Sequence, residues 1–165
     1  MTLWESDKKR RGHLPIYQYW LRKIHDSKSQ LFKKFYKIMY GITRFPFSIE
    51  ISTKAQIGPG LYISHPYNIT VHSDAIIGSN CNFNKGMTIG KTNRGNRAGV
   101  PVIGNNVWIG INAVIVGKIH IGNDVLIAPN SYVNIDIPDH SVVIGNPCII
   151  KYKANATEGY ISNTI

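Results

Sequence analysis

From residue 51 onward one large apolar residue returns at every sixth position: Ile51, Ile57, Ile63 and Ile69, then Ile77, Phe83 and Ile89, and after a gap Ile103, Ile109, Ile115, Ile121, Ile127 and Val133. Glycine follows that residue at 58, 78, 90, 104, 110 and 122, and a small or β-branched residue stands four places on at Val107, Ala113, Ile119, Val125 and Ser131. The unit suits a short strand that turns a corner and sends one side chain inward, so that stacked copies bury a column no single copy could bury. Three such units close a triangular coil of roughly 18 residues, with glycine easing the turns. The fold class expected is mainly β, a parallel β-helix of hexapeptide repeats.

The beat breaks twice. Between Ile69 and Ile77 it slips by two residues, and "KTNRGNRAGVP", residues 91–101, has no inward register and reads as a loop thrown out from the coil. The segment before the repeats follows another period. Ile16, Tyr19, Trp20 and Ile24, then Leu31, Phe35, Ile38, Met39 and Ile42, have the spacing of two amphipathic helices. Pro15 suits a first helical turn, Gly41 lies near the second helix's end, and Pro46 bars continuation. The organisation expected is a basic N-terminal helical lead-in over 1–48, the coil domain over 49–153 with its loop 91–101, and a tail over 154–165.

A chain of 165 residues has room for one core. Its formal charge of +10 is concentrated: residues 1–48 hold 11 of the 19 Lys/Arg and 3 of the 9 acids. Three readings of that basic end stand side by side. Its apolar stripes pack on the coil; or it binds nucleic acid, for which no accompanying motif exists; or it adheres to an anionic membrane, its lysines lying beside Trp and Tyr. Two cysteines and no signal-peptide pattern lead to the expectation of a cytoplasmic protein, with peripheral contact at the inner face of the membrane left open. No run of 18 apolar residues is present to span a bilayer.

The run "EISTKAQIGPGLYISHPYNITVHSDAIIGSNCNFNKGMTIG" and the closing segment "IPDHSVVIGNPCIIKYK" resemble the hexapeptide-repeat acyltransferases, and among them the serine acetyltransferase branch, which includes O-acetyltransferases of polysaccharide gene clusters. The resemblance implies a left-handed coil, a homotrimer, acetyl-CoA as co-substrate between neighbouring coils, and no metal. It puts the family's catalytic histidine on His65 and its partner carboxylate on Glu50, where aspartate is commoner. Taken alone, His65 reads as a surface histidine on a coil corner. The chemistry explains the family's choice: moving an acetyl group from a thioester to a hydroxyl needs a base matched to neutral pH. A carboxylate on the other ring nitrogen holds the tautomer and stabilises the imidazolium. His72 and His120 read as outward corner residues, and the histidine spacing lacks a three-ligand zinc pattern.

On the donor side the resemblance implies backbone contacts at Ile111 and Ala128, with Lys151 near the nucleotide phosphates. Two departures bear on the acceptor. Ser64 stands where serine acetyltransferases carry an acid, and Val100 where they carry a histidine before proline. Both remove groups suited to gripping a small zwitterion, so the acceptor expected is a hydroxyl of a sugar or polysaccharide precursor, with Ser64, Arg94 and Arg97 as its contacts. The alternatives are a serine O-acetyltransferase of cysteine biosynthesis, and a non-catalytic module that binds anionic surfaces on a decayed acyltransferase coil.

Overall fold

The computed structural model describes residues 1–165. Three helices, α1 (Leu3–Arg11), α2 (Ile16–Asp26) and α3 (Gln30–Arg44), lead through a 3-10 turn at Phe45–Phe47 into fifteen short strands. The strands wind into a triangular prism. Its first face stacks β1 (Glu50–Ile51), β4 (Thr70–Val71), β7 (Thr88–Gly90), β10 (Val114–Val116) and β13 (Tyr132–Val133). The second stacks β2 (Gln56–Ile57), β5 (Ile76–Ile77), β8 (Val102–Ile103) and β11 (His120–Ile121). The third stacks β3 (Tyr62–Ile63), β6 (Asn82–Phe83), β9 (Val107–Ile109), β12 (Val125–Ile127) and β14 (Ser141–Ile144), all parallel, and closes with the antiparallel β15 (Ile149–Tyr152).

The period of six is the strand spacing. Ile51, Ile57, Ile63, Val71, Ile77, Phe83 and Ile89 point into the core, and the four-place positions Ala55, Leu61, Ala75 and Cys81 are buried beside them at the corners. Glycine at the second-to-third corner answers a close approach: a Cβ on Gly78 would stand 2.6 Å from the Gly104 carbonyl one coil away. The slip lies elsewhere than its spacing suggested. Ile69 is a buried corner residue and Val71 takes the strand position, so the two extra residues fall in the corner before Ile69. Residues 91–101 do leave the coil, as a loop tied by a Thr92–Gly99 bridge.

A parallel coil leaves an unpaired row of backbone groups at its first turn, an edge that must be covered. Here the helices cover it with side chains. Arg44 donates to the Ile49 carbonyl, Tyr40 to Ile51, Arg22 to Ile57 and Gly58, Arg10 to Gly60, Gln18 to Leu61 and Arg11 to Ile63, while a ring nitrogen of His25 lies 3.2 Å from the Thr53 carbonyl. Asp7 accepts the Leu61 N–H at 2.9 Å and pairs with Arg22 at 2.6 Å, both side chains fully buried. Tyr17, Leu21, Ile24 and Tyr40 plug the open end of the core. Four of the lead-in's arginines therefore serve the coil directly. α1 itself is absent from the periodicity expectation because its buried side chains are Ser6, Asp7 and Arg10 rather than an apolar stripe. One signal for it was in the chain, the Thr2-x-x-Glu5 box, whose Thr2 N–H meets Glu5 Oε2 at 2.7 Å.

The tail returns along the third face. Tyr160 packs edge-on to Trp108 at 4.9 Å, Ser162 accepts a bond from Arg10, and Ile165 exchanges two bonds with Asn80. Asp124 clamps its start by accepting from the Ala156 and Thr157 amides and the Thr157 hydroxyl, with His140 Nδ1 at 2.8 Å. Burial raises the Asp124 pKa, but the bonds from Thr157, His140 and Ala156 outweigh it and the net shift is downward. A lowered carboxyl pKa contributes stability that is present above the unfolded value and lost as pH falls through the folded one. Asp124→Ala is expected to weaken the tail's attachment by about 2 kcal/mol, seen as faster amide hydrogen exchange at 156 and 157 with the coil's protection unchanged.

Candidate active site

The two extra residues mark the corner that holds His65. Residues 64–68 separate Ile63 from buried Ile69, where only 84–86, 110–112 and 128–130 separate the matching pairs farther along this edge. The turn residue of each ordinary corner is left-handed, at Gly86, Asn112 and Asn130, with Asn68 as its counterpart here. His65 is a second left-handed residue in the same corner, φ +50°. That conformation costs a non-glycine residue about 1–2 kcal/mol, and such strain concentrates at working sites. The imidazole is exposed on this third-to-first edge.

Groups outside the repeat brace the corner. Arg11 of α1 donates to the Ile63 carbonyl and lies over the Tyr62 ring at 5.0 Å. Tyr67 meets Phe47 at 5.5 Å, which meets Tyr17 of α2 at 5.3 Å. The Asn68 N–H bonds the Phe47 carbonyl, and Ser64, half-buried, donates its N–H to Phe83. Arg11, Phe47 and Tyr67 were not among the residues expected at the site. Their part is visible only once the helices are folded onto the corner.

Glu50 stands beside the same edge, its N–H bonded to the Ile69 carbonyl at 2.7 Å. Its side chain faces an open cleft of about 450 Å³ lined by Lys37, Tyr40, Arg44, Ser52 and Thr53. No nitrogen of His65 comes within 4.0 Å of the Glu50 carboxylate in the isolated chain. Both residues are exposed, Glu50 at the start of β1 and His65 in the corner that leads into β4, the strand paired with β1; catalytic hydrogen bonds are commonly long before substrate binds.

Ile111 and Ala128 follow β9 and β12 on the same edge, two and three strand steps from His65, roughly 10 and 14 Å at ordinary strand spacing. The Ile111 N–H has no partner within the chain, whereas that of Ala128 is bonded to the Val143 carbonyl at 2.8 Å. Lys151, exposed on β15, lies five steps away, roughly 24 Å. His65, Ile111 and Ala128 therefore line one edge, with Lys151 toward its far end.

Arg94 and Arg97 are not brought to His65. They belong to the first-to-second edge, where the loop packs on Gly117 and Lys118 and Arg97 pairs with Asp136 at 3.2 Å. His72 is on that edge too, its Nδ1 accepting the Asp74 N–H at 3.2 Å, and His120 is exposed on the second face. No three or more His, Cys, Asp and Glu residues are grouped to hold a metal. Cys81 is a core side chain whose thiol burial pushes up to about 11, and Cys148 is half-buried in the closing turn.

Residues 101–134 match the bacterial transferase hexapeptide family, a model of six repeats. A serine acetyltransferase of Synechococcus elongatus is 30% identical over 118 residues, 72% of this chain and 48% of the relative. The crystal structure of serine acetyltransferase from Brucella abortus superposes with a TM-score of 0.72 at 29% identity, over 86% of this chain and 57% of that one. A serine acetyltransferase solved in complex with CoA superposes at 0.69 with 26% identity, over 82% and 55%. The chain spans about half the length, or less, of the curated relatives it matches.

These relatives overturn the sugar or polysaccharide acceptor expected from the sequence, for they are serine acetyltransferases. The physical reason lies in how that expectation arose. Ser64 and Val100 subtract two gripping groups, but a subtraction builds no sugar site, and the arginines assigned to hold an anionic sugar sit on another edge, one of them already paired. The repeat columns, the helices capping the first turn and the likeness to solved acyltransferases agree on lineage: the chain belongs to the hexapeptide-repeat acyltransferases, the superfamily of the left-handed parallel β-helix.

Proposed function

We propose that the chain is an acetyl-CoA-dependent serine O-acetyltransferase with His65 as general base. The observation that carries this reading is the lengthened, left-handed corner that lifts His65 out at the head of an edge five strand steps long. That edge suits a long, extended thioester donor whose chain takes the free Ile111 amide and whose phosphates approach Lys151. Ala128, its amide already bonded within the coil, offers a van der Waals wall.

In the reaction, His65 takes the proton of the serine hydroxyl as the oxygen attacks the thioester carbon. The C–O bond forms, the C–S bond breaks, and the imidazolium returns its proton to the departing thiolate. Glu50 swings toward the edge to orient the ring and stabilise its charged form. Negative charge on the carbonyl oxygen is met by backbone N–H groups. The active assembly is a homotrimer, the form typical of the family. The first and second faces are open to neighbours, with Tyr132 on one and Ile76 and Val102 on the other, while the tail lies over the third.

The reading is tested by incubating the protein with acetyl-CoA and L-serine and identifying the product by mass spectrometry. O-acetylserine is the expected product. Its absence, under conditions where the protein is folded and the thioester stable, would refute the assignment.

A further inference from the structure

We propose that α3 is a docking surface for anionic lipid bilayers, by which the lead-in end of the coil lies on a membrane. Leu31, Phe35, Ile38, Ile42 and Phe45 recur at alternating four- and three-residue steps along α3 and into the turn that follows it. This stripe faces away from the protein: Leu31 is 76% exposed, Ile38 63%, Ile42 64% and Phe45 84%. Tyr40 is the helix's one buried residue. Behind the stripe the helix is firmly held, Tyr36 stacking on Trp20 at 5.8 Å and Phe35 meeting Trp20 edge-on at 6.0 Å. An apolar hollow of about 560 Å³ opens between Leu31, Phe32, Phe35 and Ile38.

Charge decides what covers it. Lys34 borders the hollow, whereas Lys33, Lys37 and Arg44 lie on the side of α3 toward the coil, Lys37 and Arg44 in the cleft that holds Glu50, and no Asp or Glu stands between residues 27 and 49. A second copy meeting this stripe through a two-fold axis would set cations against cations with no acid to answer them. A polyanion without an apolar phase, such as nucleic acid, would leave the isoleucines and phenylalanines in water. An anionic bilayer satisfies both, headgroups meeting Lys34 while the stripe sinks to the acyl boundary, as in helices that lie in the interface plane. Because α2 and α3 cap the first turn, the stripe is at one end of the coil. No helix is long and apolar enough to cross the membrane, so the contact is peripheral.

The test is co-sedimentation of the full chain with sucrose-loaded vesicles of phosphatidylcholine alone or mixed with phosphatidylglycerol. Pelleting with the mixed vesicles and not the neutral ones is expected, weakening as salt is raised. Ile38→Glu together with Ile42→Glu should reduce the partition coefficient by more than about a hundredfold, and Lys34→Gln by roughly fivefold, with circular dichroism of each variant unchanged. Absence of pelleting with anionic vesicles, or pelleting unaffected by the paired isoleucine variant, overturns the proposal. So does concentration-dependent self-association of the free protein abolished by that variant, which would assign the stripe to a second copy.

Discussion

His65→Ala is expected to lower turnover by about two to four orders of magnitude while leaving the fold and its thermal transition unchanged. The side chain is exposed and makes no hydrogen bond within the chain, so its removal opens no cavity and strands no partner. Alanine keeps the turn and takes away only the imidazole. The left-handed backbone at this position adds a second handle. His65→Gly relieves the conformational strain, so it should be at least as stable as the alanine variant and equally inactive. That combination, a loss of turnover with stability unchanged or raised, separates a base held at the cost of backbone strain from a histidine that merely completes a corner. Near-normal turnover in the alanine variant would remove His65 from the chemistry.

The largest stability effect belongs to the other end of the molecule. Asp7→Ala is expected to cost about 3–5 kcal/mol, because it leaves the Arg22 guanidinium buried with no counter-charge. It also strands the Leu61 N–H and the Gln18 amide, which Asp7 now accepts. For a chain of this size the transition should fall by roughly 10 °C. Arg44→Met, at a partly exposed carbonyl bond, should cost about 1 kcal/mol. Urea unfolding of the two variants provides the comparison. A shift below about 1 kcal/mol for Asp7→Ala would mean that the polar network does not fasten the helices to the coil.

The coil was legible because its physics is local. Each six-residue unit announces its inward side chain, and Ile103 through Val133 keep the beat without interruption. Where two apolar residues compete for one register, periodicity has no way to choose, and Ile69 and Val71 are both buried. Placing the slip after Ile69 hid the lengthened corner that singles out His65. α1 was illegible for the opposite reason: it buries Asp7 and Arg10, types that periodicity assigns to solvent, against carbonyls whose exposure exists only once the coil has formed. The basic charge of the lead-in accordingly has two uses. Arg10, Arg11, Arg22 and Arg44 cap the first turn, while Lys34 stands beside the apolar stripe of α3. His65 and Glu50 were placed by resemblance, and the structure sets both at the third-to-first edge without joining their side chains. The acceptor was misread because Ser64 and Val100 say what is missing, and recognition depends on what is present.

Release of free thiol from acetyl-CoA, followed with and without L-serine for the wild-type protein and His65→Ala, tests the central claim most directly. Serine-dependent release by the wild type, reduced by about two to four orders of magnitude in the variant, is the predicted result. Release that does not depend on serine, or that survives loss of His65, would contradict it.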